Sequence, residues 1–260
     1  TFQLSGTDFG ATTTGIEKLI ANVDTDADVI NLTTTSGVTA VEVDVAAAVT
    51  GIVSGITSQT VTVTHGAADS QIEVKLASST GDSDAVTVEL KDAATNIAAA
   101  FNIKATDIET VTVKASSAES VDLSNLSMAT ASKVMSLAAT GDKALTVSAL
   151  NADVTTVDAS GMAEGGSFVQ TGRSATTAST YTGSDGADTF MHMHGGDVIS
   201  GGAGTNDTLD VDKAAILGGI NVDLSSATDQ IVSYNGSASS GTVTGFENVD
   251  LLGYTGSFGA

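Results

Sequence analysis

Residues 181–211 read YTGSDGADTFMHMHGGDVISGGAGTNDTLDV, a stretch that holds five aspartates and three glycine-rich turns around few large apolar side chains. The aspartates keep a beat: Asp188 to Asp197 is nine residues and Asp197 to Asp207 is ten, with Phe190, Ile199 and Leu209 each two positions further on. A turn, a carboxylate and an apolar residue are rebuilt at a near-constant period, which is how a unit stacked on copies of itself is written in sequence.

Working outward, β-branched runs recur on both sides: VTAVEVDVA (38–46), TVTVTH (60–65), QIEVKLA (71–77), AVTVELKD (85–92), IETVTVKA (108–115) and ALTVSAL (144–150). Each alternates apolar with small polar residues, the period of a strand with one buried face. Helical composition is confined to 44–53 and 92–105. Two short motif families repeat as well. VDLS (121–124), VDAS (157–160) and VDLS (222–225) share one signature, and GIEKL (15–19), DIETV (107–111) and GFENV (245–249) share another. Aromatic residues make up 4% of the chain, so the core is expected to be Val, Ile, Leu and Ala in thin stacked layers. The fold class that follows is all-β, a parallel β-solenoid or β-helix, because coils stacked about 4.8 Å apart cannot bury their apolar side alone. For residues 1–105 a β-sandwich stands beside the coil reading.

Composition removes several classes of function. Nine Lys and Arg against thirty-one Asp and Glu leave a formal charge of −22, which opposes nucleic acid and anionic membranes and favours cations as partners. Cysteine is absent, so disulfides, thiol catalysis and cysteine-based zinc sites are excluded. No run of eighteen apolar residues exists, so no transmembrane helix is expected. The copies of the GIEKL-type motif near both ends lead to the expectation that the chain is cut from a longer array.

Gly183-Ser184-Asp185-Gly186-Ala187-Asp188-Thr189-Phe190 fits G-G-x-G-x-D-x-U with one Gly replaced by Ser. His192 to Ile199 keeps a glycine, the aspartate and the apolar residue, and Gly201 to Leu209 keeps all of them with one residue inserted before Asp207. These turns resemble the nonapeptide repeats of RTX proteins, calcium-binding β-rolls secreted by type I systems. VTTVDASG (154–161) before the roll and FENVDLL (246–252) after it resemble, in the same order, the RTX-type S-layer proteins that coat some bacteria.

The resemblance implies calcium as the cofactor and a metal set of Gly183, Asp185, Gly186, Asp188, Gly195, Asp197, Gly202, Gly204, Asn206 and Asp207. In that family alternate turns lie on the same edge, which implies Asp188 and Asp207 flanking one ion and Asp197 on the opposite edge, with metal rather than apolar packing holding the segment. The organisation expected is a β-rich module over 1–105, β-helix coils over 106–180, an RTX-like calcium β-roll over 181–212 and a continuation or cap over 213–260. The implied function is that of an extracellular, cell-surface structural protein. It would be an S-layer or filament subunit that self-assembles into a homo-oligomeric lattice, with a cell-surface polysaccharide as a further partner.

No enzyme is expected, since no G-x-S-x-G elbow is present and aromatic and basic residues, Arg173 alone among arginines, are too sparse for an evident sugar cleft. His192 and His194 alternate on an expected strand edge, where both imidazoles would face one side, either as a transition-metal pair or as exposed loop residues. Two other functions stay open beside the structural one: the stalk of a large RTX adhesin, and a polysaccharide-modifying β-helix enzyme.

Overall fold

The computed structural model describes residues 2–5, 13–91, 97–98, 100–116, 119–127, 134–163, 165–174, 177–211, 218–252 and 258–259. These residues contain strands and turns and no helix. From Lys18 to Val211 the chain lays one strand in a first sheet, turns, lays the next in a second sheet, and returns one rung higher. Strands Lys18–Val23, Ala40–Val45, Thr60–Gly66 and Ala85–Leu90 belong to the first sheet, and Asp28–Asn31, Thr50–Ile56, Gln71–Leu76 and Asn102–Thr106 to the second. Each sheet has eleven strands, and all pairs within them are parallel. The fold is therefore a two-sheet parallel β-solenoid. Residues 18–90 are coils of it rather than a separate sandwich, and the sheets cross residues 105 and 180 without a break, pairing Ala85–Leu90 to Thr110–Ala115 and Val154–Met162 to Thr180–Thr182.

The alternation seen in the sequence becomes alternation across the sheet. Ala40–Val45 and Thr110–Ala115 bury every second side chain, and in-register stacking turns these positions into columns. One column of the first sheet runs Val86, Val111, Leu137, Val157, Tyr181, Ile199, Val243. The core is mostly aliphatic, but at the glycine-rich coils it becomes aromatic: Phe190 stacks on Phe168 at 5.4 Å and on Tyr181 at 5.6 Å between ring centroids. Phe190, Ile199 and Leu209 are at most 1% exposed. Apolar packing thus runs straight through residues 181–211, which corrects the expectation that metal alone would hold them. Of the two stretches of helical composition, 50–53 and 102–105 are strand, while 92–96 and 99 lie outside the described residues. Alanine's helix preference is worth tenths of a kcal/mol per residue and a stacked sheet edge outweighs it.

Each repeated motif has one kind of local backbone geometry. In the VDxS family the aspartate accepts a hydrogen bond from the backbone N–H two residues on: Ser124 N to Asp122 at 2.8 Å, Ser160 N to Asp158 at 3.0 Å and Ser225 N to Asp223 at 3.0 Å. This is an Asx turn, which offers the backbone a local acceptor; at Asp122 and Asp223 it lies at the end of a strand, and at Asp158 it coincides with a register shift inside Val154–Met162. The GIEKL family begins with a residue of positive φ, Gly15 at 74°, Asp107 at 59° and Gly245 at 76°, and a first- or second-sheet strand starts three residues later.

Between the last roll strand, Thr208–Val211, and the last first-sheet strand, Thr242–Thr244, the chain makes an excursion of antiparallel strands, Ile220–Val222, Ile231–Tyr234 and Ser237–Ala238. It lies over the end of the first sheet. Val243 N donates to Asp229 Oδ1 at 3.1 Å and Val243 O accepts from Gln230 N at 2.6 Å, so the outward backbone groups at the middle of that strand are satisfied.

Candidate functional site

The roll places its aspartates one position before a strand. Asp188 precedes Thr189–His192 and Asp207 precedes Thr208–Val211, on adjacent rungs of the second sheet, while Asp197 precedes Val198–Ser200 in the first. All three carboxylates are fully buried. At this corner the backbone N–H of each coil has turned out of the ladder and needs an acceptor. The carboxylate of the next coil supplies it: Phe168 N donates to Asp188 Oδ1 at 2.5 Å, Asp188 N to Asp207 Oδ1 at 2.8 Å and Asp207 N to Glu247 Oε2 at 2.9 Å. Glu109 takes the N–H of Asp84 at 2.8 Å in the same manner on the first sheet. Glu109 and Glu247 of the GIEKL family and the aspartates 188 and 207 of the glycine-rich repeat therefore share one structural device, a carboxylate that takes the N–H of the preceding coil in a charge-assisted hydrogen bond.

The rungs differ in how fully they are satisfied. Asp188 Oδ2 also accepts from Ser184 N at 2.6 Å and Ser184 Oγ at 2.9 Å, so the serine that replaces a glycine of the repeat has a use. Burial nevertheless pushes the Asp188 carboxyl up. Asp207 Oδ2 is buried and has no partner among the described residues. Burial, joined by the charges of Asp188 and Glu247, pushes Asp207 up to about 6. Three carboxylates thus follow one another up this edge with no basic side chain among the described residues bonded to them.

The Asp197 edge is built the other way. Arg173 grips the carboxylate with both terminal nitrogens, Nη1 to Oδ2 at 3.0 Å and Nη2 to Oδ1 at 3.1 Å, and neither side chain is exposed. Ser179 N, Met193 N and His194 N donate to the same carboxylate at 2.9–3.0 Å. Burial works against its charged form, but the His192 and Arg173 contacts overcome this and hold Asp197 well below the usual carboxylate range.

The glycines serve close approach. A Cβ on Gly186 would lie 1.9 Å from Gly166 O, and one on Gly204 would lie 2.0 Å from Gly186 O, so these turns form a column in which nothing larger fits. Gly202 adds a φ of +112°, and Gly183 abuts Gly201 O in the same way. Gly195 instead makes room for the Tyr234 ring, whose hydroxyl donates to Met193 O at 2.5 Å. Asp185 and Asn206 are exposed at the turn tips, with Asn206 at φ 75°. The histidines do not face one side. His192 is fully buried, edge-on to Tyr234 with ring centroids 4.9 Å apart, whereas the strand has ended before His194, which is exposed and accepts from Gly196 N at 3.0 Å.

Calcium, which the repeat pattern implies, fits one edge and not the other. Among the described residues no three His, Asp or Glu side chains converge as a ready metal group. At Asp197 both oxygens are already taken by a guanidinium and three N–H groups. At Asp207 a buried oxygen without a partner sits in a column of like charge, the condition a hard cation relieves. Arg173, Ser184 and Glu247 are the members of the site that the glycine pattern alone does not reveal; Glu247 was marked by its repeat and Arg173 by being the chain's single arginine. No protein-family model matches the chain, no curated protein matches it, and no solved structure does.

Proposed function

We propose that this chain is a structural protein of a bacterial cell surface, a rod-like subunit of an S-layer or extracellular filament, whose glycine-rich coils bind calcium along the Asp188, Asp207 and Glu247 edge. The observation that carries the reading is the unpartnered, buried Asp207 Oδ2 within a ladder of three carboxylates. Asp207 would hold the ion, with Asp188 and Glu247 supplying further charge, and carbonyl oxygens of the glycine turns completing the six to eight oxygens that calcium takes. The resemblance of residues 183–209 to RTX repeats supports the choice of ion, and secretion by a type I system comes with it.

The rest of the molecule is consistent with a spacer or lattice element. Eleven rungs at about 4.8 Å make a rod about 50 Å long of near-identical coils. A cell-surface polysaccharide is the attachment partner that the family resemblance offers. Electron microscopy and sedimentation of the purified protein with and without millimolar Ca²⁺ test the proposal. A calcium-dependent lattice or filament supports it. Isolated rods would favour an adhesin stalk, and cleavage of uronate polymers would favour the enzyme reading.

A further inference from the structure

The guanidinium of Arg173 lies in an oxygen cage. Besides both oxygens of Asp197, it donates to Thr177 O at 2.7 Å, Ser179 Oγ at 2.6 Å and Met191 O at 3.4 Å. One carboxylate and a hydroxyl out of solvent, with two part-buried backbone carbonyls, form the donor set that a hard divalent cation takes. The arrangement differs from an ordinary buried ion pair, in which the carboxylate is the main partner. Here carbonyls from either side of the roll coil, 177 and 191, close on the same cation. Asp197 has the same place in its repeat as Asp188 and Asp207, yet its edge is neutralised and theirs is not.

We propose that Arg173 is a built-in cation that occupies the metal position of the Asp197 edge. This edge is therefore ordered without metal, and removing the guanidinium opens a calcium-binding cage formed by Asp197, Thr177, Ser179 and Met191. The inference rests on the reading of the glycine-rich segment as a calcium roll, and it makes that roll one-sided: metal on the second-sheet edge, arginine on the first. One consequence is that calcium loss loosens one edge while the other keeps the coils in register.

Thermal unfolding of Arg173→Ser and of Arg173→Ser with Asp197→Asn, each in chelator and in millimolar CaCl₂, tests it. In chelator the single variant leaves a buried carboxylate without its cation and is expected to melt about 10 °C or more below the parent protein. Beyond the rise that CaCl₂ gives the parent protein through the Asp207 edge, it is expected to restore most of that loss in the single variant and none of it in the double variant. An Arg173→Ser protein that calcium does not restore, or a double variant that calcium restores equally, overturns the proposal. Should Arg173→Ser fail to fold, amide exchange in the parent protein decides. The Ser179, Met193 and His194 amides, which donate to Asp197, are expected to exchange at the same rate in chelator as in calcium. Loss of their protection on chelation would show that metal holds this edge, and the inference would fall. A parent protein that ignores calcium while Arg173→Ser responds would sink the proposed calcium function and leave the cage intact, so the two readings fail separately.

Discussion

Asp207 shows how one residue can be a structural cap and a cation site at once. Its Oδ1 holds the Asp188 N–H, a role an amide oxygen performs equally well, while its Oδ2 has no partner and its charge faces Asp188 and Glu247. Asp207→Asn is therefore expected to raise the melting temperature in chelator by a few degrees and to abolish the further rise that calcium produces. A variant that melts lower in chelator would mean that the charge itself is needed for the ladder. Protonation does the same work as the amide. The folded carboxyl titrates near 6, above its ordinary value of about 4, so the folded state holds a proton that the unfolded state has released between those limits. By linkage, stability in chelator falls as pH rises from about 4 to 6 and stays low above. Subtracting the Asp207→Asn profile from the parent profile isolates this part from the general relief of a −22 charge. The aspartates were legible from their spacing alone. Arg173 was not, because its partner lies 24 residues away and only the stacking of coils brings them together.

At the scale of the element, two recurring turns shape several of the coils, and both were visible as repeated short motifs before their shape was known. VDxS is an Asx turn, and the same turn recurs with different letters at Asn31, which accepts from Thr33 N, and at Asp250, which accepts from Leu252 N. Letter matching missed these two because the corner requires only a short acceptor side chain two residues before a free N–H. The antiparallel course of the excursion over 218–239 was illegible for a related reason: its strands are two to four residues long, and its one repeat copy, VDLS at 222–225, is the same as in the parallel coils. The glycine corners permit a sharper test, since two of them are needed for different reasons. Gly165 has φ +90°, and a Cβ placed there would meet nothing within 4 Å, so Gly165→Ala is expected to cost only backbone strain, about 1–2 kcal/mol. Gly186 has an ordinary φ, but a Cβ placed there would lie 1.9 Å from Gly166 O, so Gly186→Ala must force the coils apart and is expected to cost several times as much. Denaturant titration of the two variants measures the difference, and equal costs would show that the coil spacing yields at this column.

Across the whole molecule, the same stacking that closes each coil raises the question of what meets the ends of the sheets. A strand with unpaired N–H and C=O groups invites another chain. At the end of the first sheet the excursion answers it, for Asp229 Oδ1 binds both Ile231 N and Val243 N, and Gln230 binds Val243 O by its backbone and Phe246 N and O by its side chain. In the second sheet the strand Asn248–Asp250 pairs with Thr208–Val211 on one side, and no described strand lies on the other. Among the described residues the two sheets thus end unequally, and an end-to-end partner of the first sheet would have to displace the excursion. This half-cap is expected to limit growth along the solenoid axis. Asp229→Ala combined with Gln230→Ala frees Val243 N and loses the bonds to Phe246 while leaving every buried apolar side chain in place, so sedimentation in calcium is expected to shift to larger, more polydisperse species than the parent assembly gives. Circular dichroism would meanwhile report the same strand content. An unchanged sedimentation profile with intact strands would mean that lateral faces, rather than the ends of the solenoid, govern association.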